Sequence, residues 1–213
     1  MCGINGFILQ NPQIVDPGII RAMNRSLLHR GPDEEGIYEK RNVTLGMRRL
    51  KIIDMATGQQ PIYNEDRSIV TVFNGEIYNY KELKKDLQKA GYSFKSQSDT
   101  EVILAAYDCY RERCLQYFDG MFAFALWDEK QQTLCIARDR FGEKPFYFHS
   151  SNNVFYFASE MKAFWALGIE RAPEKKMLLN YLSLGNVQNP SNKQATFYKE
   201  ILSLPPAHYA LIP

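Results

Sequence analysis

Hydrophobic and polar positions along the chain alternate between a strand period and a helix period in short blocks. Ile4, Phe7, Ile8 and Leu9 make an opening buried β-run. Asp16-Pro17 then reads as a helix start with proline at the first helical position. Ile19, Ile20, Met23, Leu27 and Leu28 give that helix an apolar stripe, and it should end before Arg30-Gly31-Pro32. Val43–Arg49 and residues 50–53 are strand-like and carry Arg48 and Arg49 into apolar surroundings, where each needs a partner. A β-prone run over residues 68–73 stops at Asn74-Gly75, a pair that favours positive backbone dihedrals and marks hairpins. Against a simple hairpin, Glu76-Ile77-Tyr78-Asn79 leads into a helix whose buried face is Leu83, Leu87 and Ala90 and whose end is Gly91. Ser98-Asp99-Thr100-Glu101 matches a capping box for a helix to about Tyr110, with Val102, Ile103, Ala106 and Tyr107 inward and Asp99 at its positive end.

From Met121 the pattern becomes a run of short strands, residues 121–127, 133–138, 145–148 and 154–158, which reads as one antiparallel sheet. Ala158-Ser159-Glu160 starts a short helix, residues 173–184 form another closed by Gly185, and residues 188–194 are polar loop. Residues 196–201 and 208–212 read as a final strand pair around Pro205-Pro206. Two groups of strands around two central amphipathic helices predict an α+β layering with helices sandwiched between sheets.

Composition narrows the function classes. With 213 residues, 45% hydrophobic and 23% charged, the chain can bury a full core. The net charge of +2 is spread along the chain, which argues against nucleic acid. The longest unbroken apolar run, residues 121–127, is far below the ~20 residues of a membrane span. No basic segment followed by an apolar core opens the chain, and signal cleavage would remove Cys2 as well, so cytoplasmic residence is the default expectation. Cys2, Cys109, Cys114 and Cys135 form no C-x-x-C pair and read as free thiols; His29, His149 and His208 are isolated, and no metal is assigned.

The candidate chemistry sits in Met1-Cys2-Gly3-Ile4-Asn5-Gly6. Loss of Met1 would leave Cys2 with a free α-amine beside its thiol. An α-amine titrates at about 7.7 to 8.0 and a thiol at about 8.5, so the amine can act as the thiol's own base. Position alone still favours a packed residue, because free cysteine is more often buried than reactive.

Eight pieces in order change that weighting. They are Met1-Cys2-Gly3-Ile4, His29-Arg30-Gly31-Pro32-Asp33, Arg49-Leu50-Lys51-Ile52-Ile53-Asp54 and Phe73-Asn74-Gly75-Glu76-Ile77-Tyr78-Asn79, followed by Ser98-Asp99-Thr100-Glu101, Gly120-Met121-Phe122-Ala123-Phe124-Ala125, Ala137-Arg138-Asp139-Arg140-Phe141-Gly142 and Ala158-Ser159-Glu160-Met161-Lys162. Together they resemble the class II glutamine amidotransferase domain of asparagine synthetase-like enzymes, over nearly the whole of residues 1–213, with no departure at a position that family uses for glutamine chemistry. The resemblance implies an N-terminal-nucleophile hydrolase fold, a four-layer αββα sandwich, and hydrolysis of glutamine to glutamate and ammonia. It implies Cys2 as nucleophile, Asn74 and Gly75 as the oxyanion hole, Arg49 on the glutamine α-carboxylate, Asp99 and Glu76 on the α-ammonium, and backbone contacts from Leu50, Ile52 and Ile53. A planar guanidinium at Arg49 offers paired hydrogen bonds that lysine lacks. Asp139 and Arg140 read as structural or interface charges. Arg30 and Asp33 belong to a loop near the glutamine pocket, where they would order it or only brace a turn.

The ATP-using synthetase domain that usually follows, with its Ser-Gly-Gly-x-Asp-Ser loop, is absent from these residues, and Pro213 reads as a domain edge. No cofactor is expected in the domain itself, ATP and magnesium belonging to that synthetase portion. The expected partners are L-glutamine and whatever receives the ammonia, with aspartate the default acceptor and a homodimer open. Two other readings remain: a different N-terminal-cysteine amidase, which the Arg49 and Asp99 pair argues against, and a catalytically idle docking domain.

Overall fold

The computed structural model describes residues 1–10, 16, 18–51, 58–151 and 153–213. Two antiparallel sheets lie face to face. The first orders its strands as β10 (Leu202–Ser203), β8 (Tyr147–Ser151), β9 (Val154–Ala158), β1 (Gly3–Leu9), β3 (Val43–Arg49) and β2 (Glu34–Lys40). The second runs β11 (Tyr209–Ile212), β7 (Thr133–Arg138), β6 (Gly120–Asp128), β5 (Ile69–Ile77) and β4 (Ile62–Tyr63).

Strand alternation explains the layers. Ile4 and Ile8 of β1, with Val43, Leu45 and Met47 of β3, face Val72 of β5 and Ala123, Ala125 and Trp127 of β6 across the central core. The other face of β1, Phe7 and Leu9, meets Ile20 of helix α1 (Gly18–Ser26), while Met23 and Leu27 pack on Ala163 and Phe164 of the 3-10 helix Met161–Leu167. On the far side of the second sheet, Phe73, Ile77, Phe122, Phe124 and Leu126 take Leu87 of α2 (Tyr80–Lys89) and Val102, Ile103, Ala106 and Tyr107 of α3 (Asp99–Tyr110). A last helix, α4 (Lys175–Leu184), ends at Gly185 with φ +70°. The sandwich is therefore αββα, as the family resemblance implied. The placing of helices between sheets is overturned, because β1 and β6 bury both faces and need cover on each. Helix α2 buries little beyond Leu87, so it belongs on the outside.

Several local expectations change with this. The strand over residues 68–73 does not turn at Asn74-Gly75; β5 continues to Ile77, pairing Asn74 with Ala123 and Gly75 with Phe122, and neither residue has a positive φ. The unbroken β6 ladder carries the strand through a dipeptide that elsewhere makes turns. The β6–β7 and β8–β9 hairpins enter different sheets, and the two tail strands part likewise, β10 to β8 and β11 to β7. Pro17 and residues 52–53 lie outside the described residues; Leu28 and Ala90, read as buried, are exposed. Strands β2 and β4 carry no apolar signal strong enough to read. At the start of α3, Ser98 Oγ accepts the Thr100 N–H at 3.1 Å, but Glu101 reaches past the cap to the Lys95 and Ser96 N–H groups, each at 2.8 Å. Among the described residues no helix is long and apolar enough to cross a membrane.

Asp139, 1% exposed, is structural. Its carboxylate accepts the N–H groups of Phe122, Phe141, Glu143 and Lys144 at 2.9 to 3.3 Å, tying the loop after β7 to β6. Asp139→Ala leaves those donors without their acceptor and is expected to cost at least about 3 kcal/mol of stability. Urea unfolding checks it, and a loss below about 1 kcal/mol would remove the role assigned to the carboxylate.

Candidate functional site

Cys2 sits at the start of β1, at the end of the central core, and is held from two directions. Arg30 Nε donates to its carbonyl at 2.9 Å, and its thiol donates to the Leu50 carbonyl at 3.7 Å. Arg30 is in turn paired with Glu160 at 3.0 Å, so the turn after α1 orders the thiol end of the chain as well as itself. Asp33 braces the same corner, its Oδ2 accepting the Lys51 N–H at 2.9 Å. Burial pushes the Cys2 thiol above its ordinary value, and the charges of Arg49 and Arg30 offset part of that. The resting group is a thiol that needs a base.

Cys2, Arg49, Leu50, Asn74, Gly75, Glu76 and Asp99 line one cavity of about 140 Å³, together with Met1, Gln60, Phe73, Met121 and Lys144 among others. Every expected site residue within the described residues is thus brought together; Ile52 and Ile53 lie outside them.

The donors come from the edge of β5. Phe122, opposite Gly75, gives its N–H to Asp139 Oδ2 and its carbonyl to the Asp139 N–H, so Gly75 and Phe122 form a non-hydrogen-bonded pair. The N–H groups of Phe73, Gly75 and Ile77 therefore all turn away from β6. Gln60 Oε1 accepts the first at 2.7 Å and Asp99 Oδ2 accepts the third at 3.0 Å. The middle one, Gly75, faces the cavity. Asn74, 1% exposed, lies on the face toward the first sheet, and among the described residues its Nδ2 has no partner. Glycine is required at 75 by closeness rather than by dihedral: a Cβ there would meet the Met121 carbonyl and sit 2.7 Å from Phe122 Cα.

The charged groups are prepared in different ways. Arg49, 4% exposed, pairs with Glu34 of β2 at 2.8 Å, and Glu34 also takes Lys51. Burial alone would raise Glu34, but the bonds from Lys51 and Arg49 outweigh it and hold the carboxyl below its ordinary range. Arg48 finds Glu35 at 3.2 Å. The partners that Arg48 and Arg49 required are thus on β2, a strand without a readable hydrophobic signal. Asp99 is the first residue of α3 and only 4% exposed. Burial pushes its carboxyl up; the Glu76 charge adds to this, and the Ile77 and Thr100 N–H groups pull the other way. Gln60 and Lys144 were missed because nothing in their local sequence marks them. Gln60 joins Phe73 to Thr100 Oγ1, the second contact at 3.4 Å.

A raised folded-state pKa means the folded chain binds this proton more tightly than the unfolded chain, so stability falls as pH rises through the titration of Asp99. Asp99→Asn should therefore melt at a higher temperature than the parent at neutral pH, the difference shrinking as pH falls toward about 4. Thermal unfolding of both proteins over that range is the check, and a lower melting temperature at neutral pH would contradict it.

Comparison with known proteins adds the family. A sequence profile described as "Glutamine amidotransferase domain" matches residues 1–213. Glutamine-hydrolyzing asparagine synthetase 1 of Bacillus subtilis (strain 168) is 42% identical over 198 residues, 92% of this chain and 31% of that protein. Amidase chry2 of Gibberella zeae is 34% identical over 224 residues, 99% of this chain and 32% of that protein. The chain thus spans about a third of the length of these relatives. The fold resembles the glutamine phosphoribosylpyrophosphate amidotransferase of B. subtilis, with a TM-score of 0.64, 22% identity, and coverage of 78% of this chain and 44% of that one. A profile matched from end to end, on an αββα sandwich with Cys2 at the cavity wall, means that this chain belongs to the glutamine amidotransferase domain family.

Proposed function

We propose that this chain, once Met1 is removed, hydrolyses the side-chain amide of L-glutamine to L-glutamate and ammonia through a Cys2 thioester. The observation that carries this is Asn74 Nδ2, buried with no partner among the described residues, beside the Gly75 N–H that turns away from β6, in the cavity that holds Cys2. Two such donors suit an oxygen that becomes negative as a tetrahedral intermediate forms.

The steps balance on this chain's own groups. The Cys2 α-amine takes the thiol proton as Sγ bonds to the amide carbon, and the carbonyl oxygen becomes the oxyanion. Collapse breaks the carbon–nitrogen bond, the α-ammonium returning the proton so that ammonia leaves and the thioester remains. Water then adds to the thioester carbon, again giving a proton to the amine. The carbon–sulfur bond breaks, Sγ recovers the proton and glutamate departs. Arg49, aligned by Glu34, would take the glutamine α-carboxylate, and Asp99 with Glu76 the α-ammonium. Leu50 would add backbone contacts, and Ile52 and Ile53 keep that role on the family resemblance alone.

The ammonia released needs an acceptor. An ATP- and magnesium-dependent synthetase portion that amidates aspartate is the reading favoured by the 42% identity to an asparagine synthetase, and the four free thiols suit a cytoplasmic setting. An amidase for bulky acyl groups would have no use for paired charges at Arg49 and Asp99.

The diazoketone analogue of glutamine should add one covalent mass to the mature N-terminal peptide, and mass spectrometry of an unlabelled Cys2 would sink the proposal. Cys2→Ala should abolish glutamate release. Asn74→Ala should lower kcat by about 10²- to 10³-fold with an unchanged near-ultraviolet dichroism spectrum. Arg49→Lys should raise KM for glutamine, and an unchanged KM would remove the carboxylate role.

A further inference from the structure

One buried cation in the cavity has no place in that mechanism. Lys144 is 6% exposed, and its backbone is fixed at both polar groups. Asp139 Oδ2 accepts its N–H at 2.9 Å, and Arg138 Nε donates to its carbonyl at 2.6 Å. Arg138 also donates to the Gly142 carbonyl at 2.7 Å, closing the loop. This geometry sends the side chain to the wall that Cys2 shares. There its Nζ lies 3.5 Å from Met1 Sδ, a weak acceptor, and among the described residues no carboxylate lies within ion-pairing distance of it. An ammonium this buried with no carboxylate at ion-pairing distance is costly, and such groups cluster where they act on chemistry.

Lys144 lies beside the N-terminus. Met1 Sδ is five bonds from the Cys2 nitrogen, so the ammonium lies within about 10 Å of that atom. The other charges that face this corner are Arg30 from the turn after α1, Arg49 from β3, Glu76 from β5 and Asp99 from α3. Arg30 and Arg49 each hold a carboxylate of their own, Glu160 and Glu34. Glu76 and Asp99 favour a protonated amine, and Lys144 is the cation left to oppose them.

We propose that Lys144 is a positioning residue for the nucleophile, its ammonium keeping the freed α-amine of mature Cys2 in the neutral form that accepts the thiol proton. This rests on the Cys2 mechanism above. A like charge at that range in a partly buried site moves an amine's titration by about half a pH unit to one unit.

The test separates the two readings. In the mature Cys2→Ala chain, where the α-amine titrates without a thiol, the pH dependence of N-terminal acylation is followed by mass spectrometry. Lys144→Met and Lys144→Gln should each move its midpoint up by about half a unit to one unit, and Lys144→Arg should leave it in place. In the chain with Cys2 intact, Lys144→Met should lower kcat/KM for glutamine about three- to ten-fold near pH 6.5 and converge with the parent on the alkaline side. A midpoint that stays put in both neutral variants overturns the proposal, as does a loss of rate that is equal at every pH. If the midpoint moves while the parent releases no glutamate, the Lys144 effect stands and the glutaminase reading fails.

Discussion

Everything at the site depends on how β5 accounts for its backbone N–H groups after its partner strand β4 has ended. A buried donor must find an acceptor, and among the described residues nothing on that edge supplies a ladder beyond residue 71. Gln60 and Asp99 take the Phe73 and Ile77 donors, and the Gly75 donor between them faces the cavity. One residue of register shift would exchange the two sets, turning the neighbouring donors outward and moving Asn74 to the α3 face. The Gly75–Phe122 pairing is therefore the constraint that gives the cavity its donors. It is set by the full length of the β5–β6 ladder and by Asp139, which occupies both polar groups that Phe122 turns toward β7.

The second requirement is that a thiol from one sheet meet donors from the other. Face-to-face packing supplies it. The core of Ile4, Ile8, Leu45 and Met47 against Val72, Ala123, Ala125 and Trp127 holds the sheets in register, and Cys2 begins at the end of that core. Small residues at 123 and 125 let β6 approach, while the turn after α1 reaches over to grip the Cys2 carbonyl through Arg30. The arrangement joins residues more than 70 positions apart in the chain.

Much of this was legible in the sequence where the signal is local. The α3 face, Leu87 of α2, the Ser98 cap, the strands from 121 to 158 and the grouping of Cys2, Arg49, Asn74, Gly75 and Asp99 could be read, the last by family resemblance rather than by pattern. What could not be read is non-local. An apolar run such as β6 announces burial but not which sheet it joins, so the four strands expected in one sheet form two hairpins in different sheets, and the expected tail pair parts between the two. Asn74-Gly75 favours turns in isolation, and here cross-strand pairing overrides that preference. Glu34-Glu35 carries no readable strand signal because its β2 residues are largely polar, yet it holds the counter-charges for Arg48 and Arg49. Lys144 is marked by nothing in its own neighbourhood, since its place follows from the bonds made by Asp139 and Arg138.

The balance of satisfied and unsatisfied groups decides between a working site and an idle one. Arg30, Arg48 and Arg49 are each given a carboxylate, which holds geometry at little net charge. Against that, Asp99 is buried at a helix start with its carboxyl pushed up, and Asn74 Nδ2 is buried with no acceptor among the described residues. Each such group costs about 1 to 3 kcal/mol that packing residues of similar size would not. A domain kept only as a docking surface gains nothing by concentrating these costs around one thiol. On the proposed mechanism they are offset when a molecule arrives with a carbonyl for the donors and an ammonium for the carboxylates, as a free amino acid carrying a side-chain amide does.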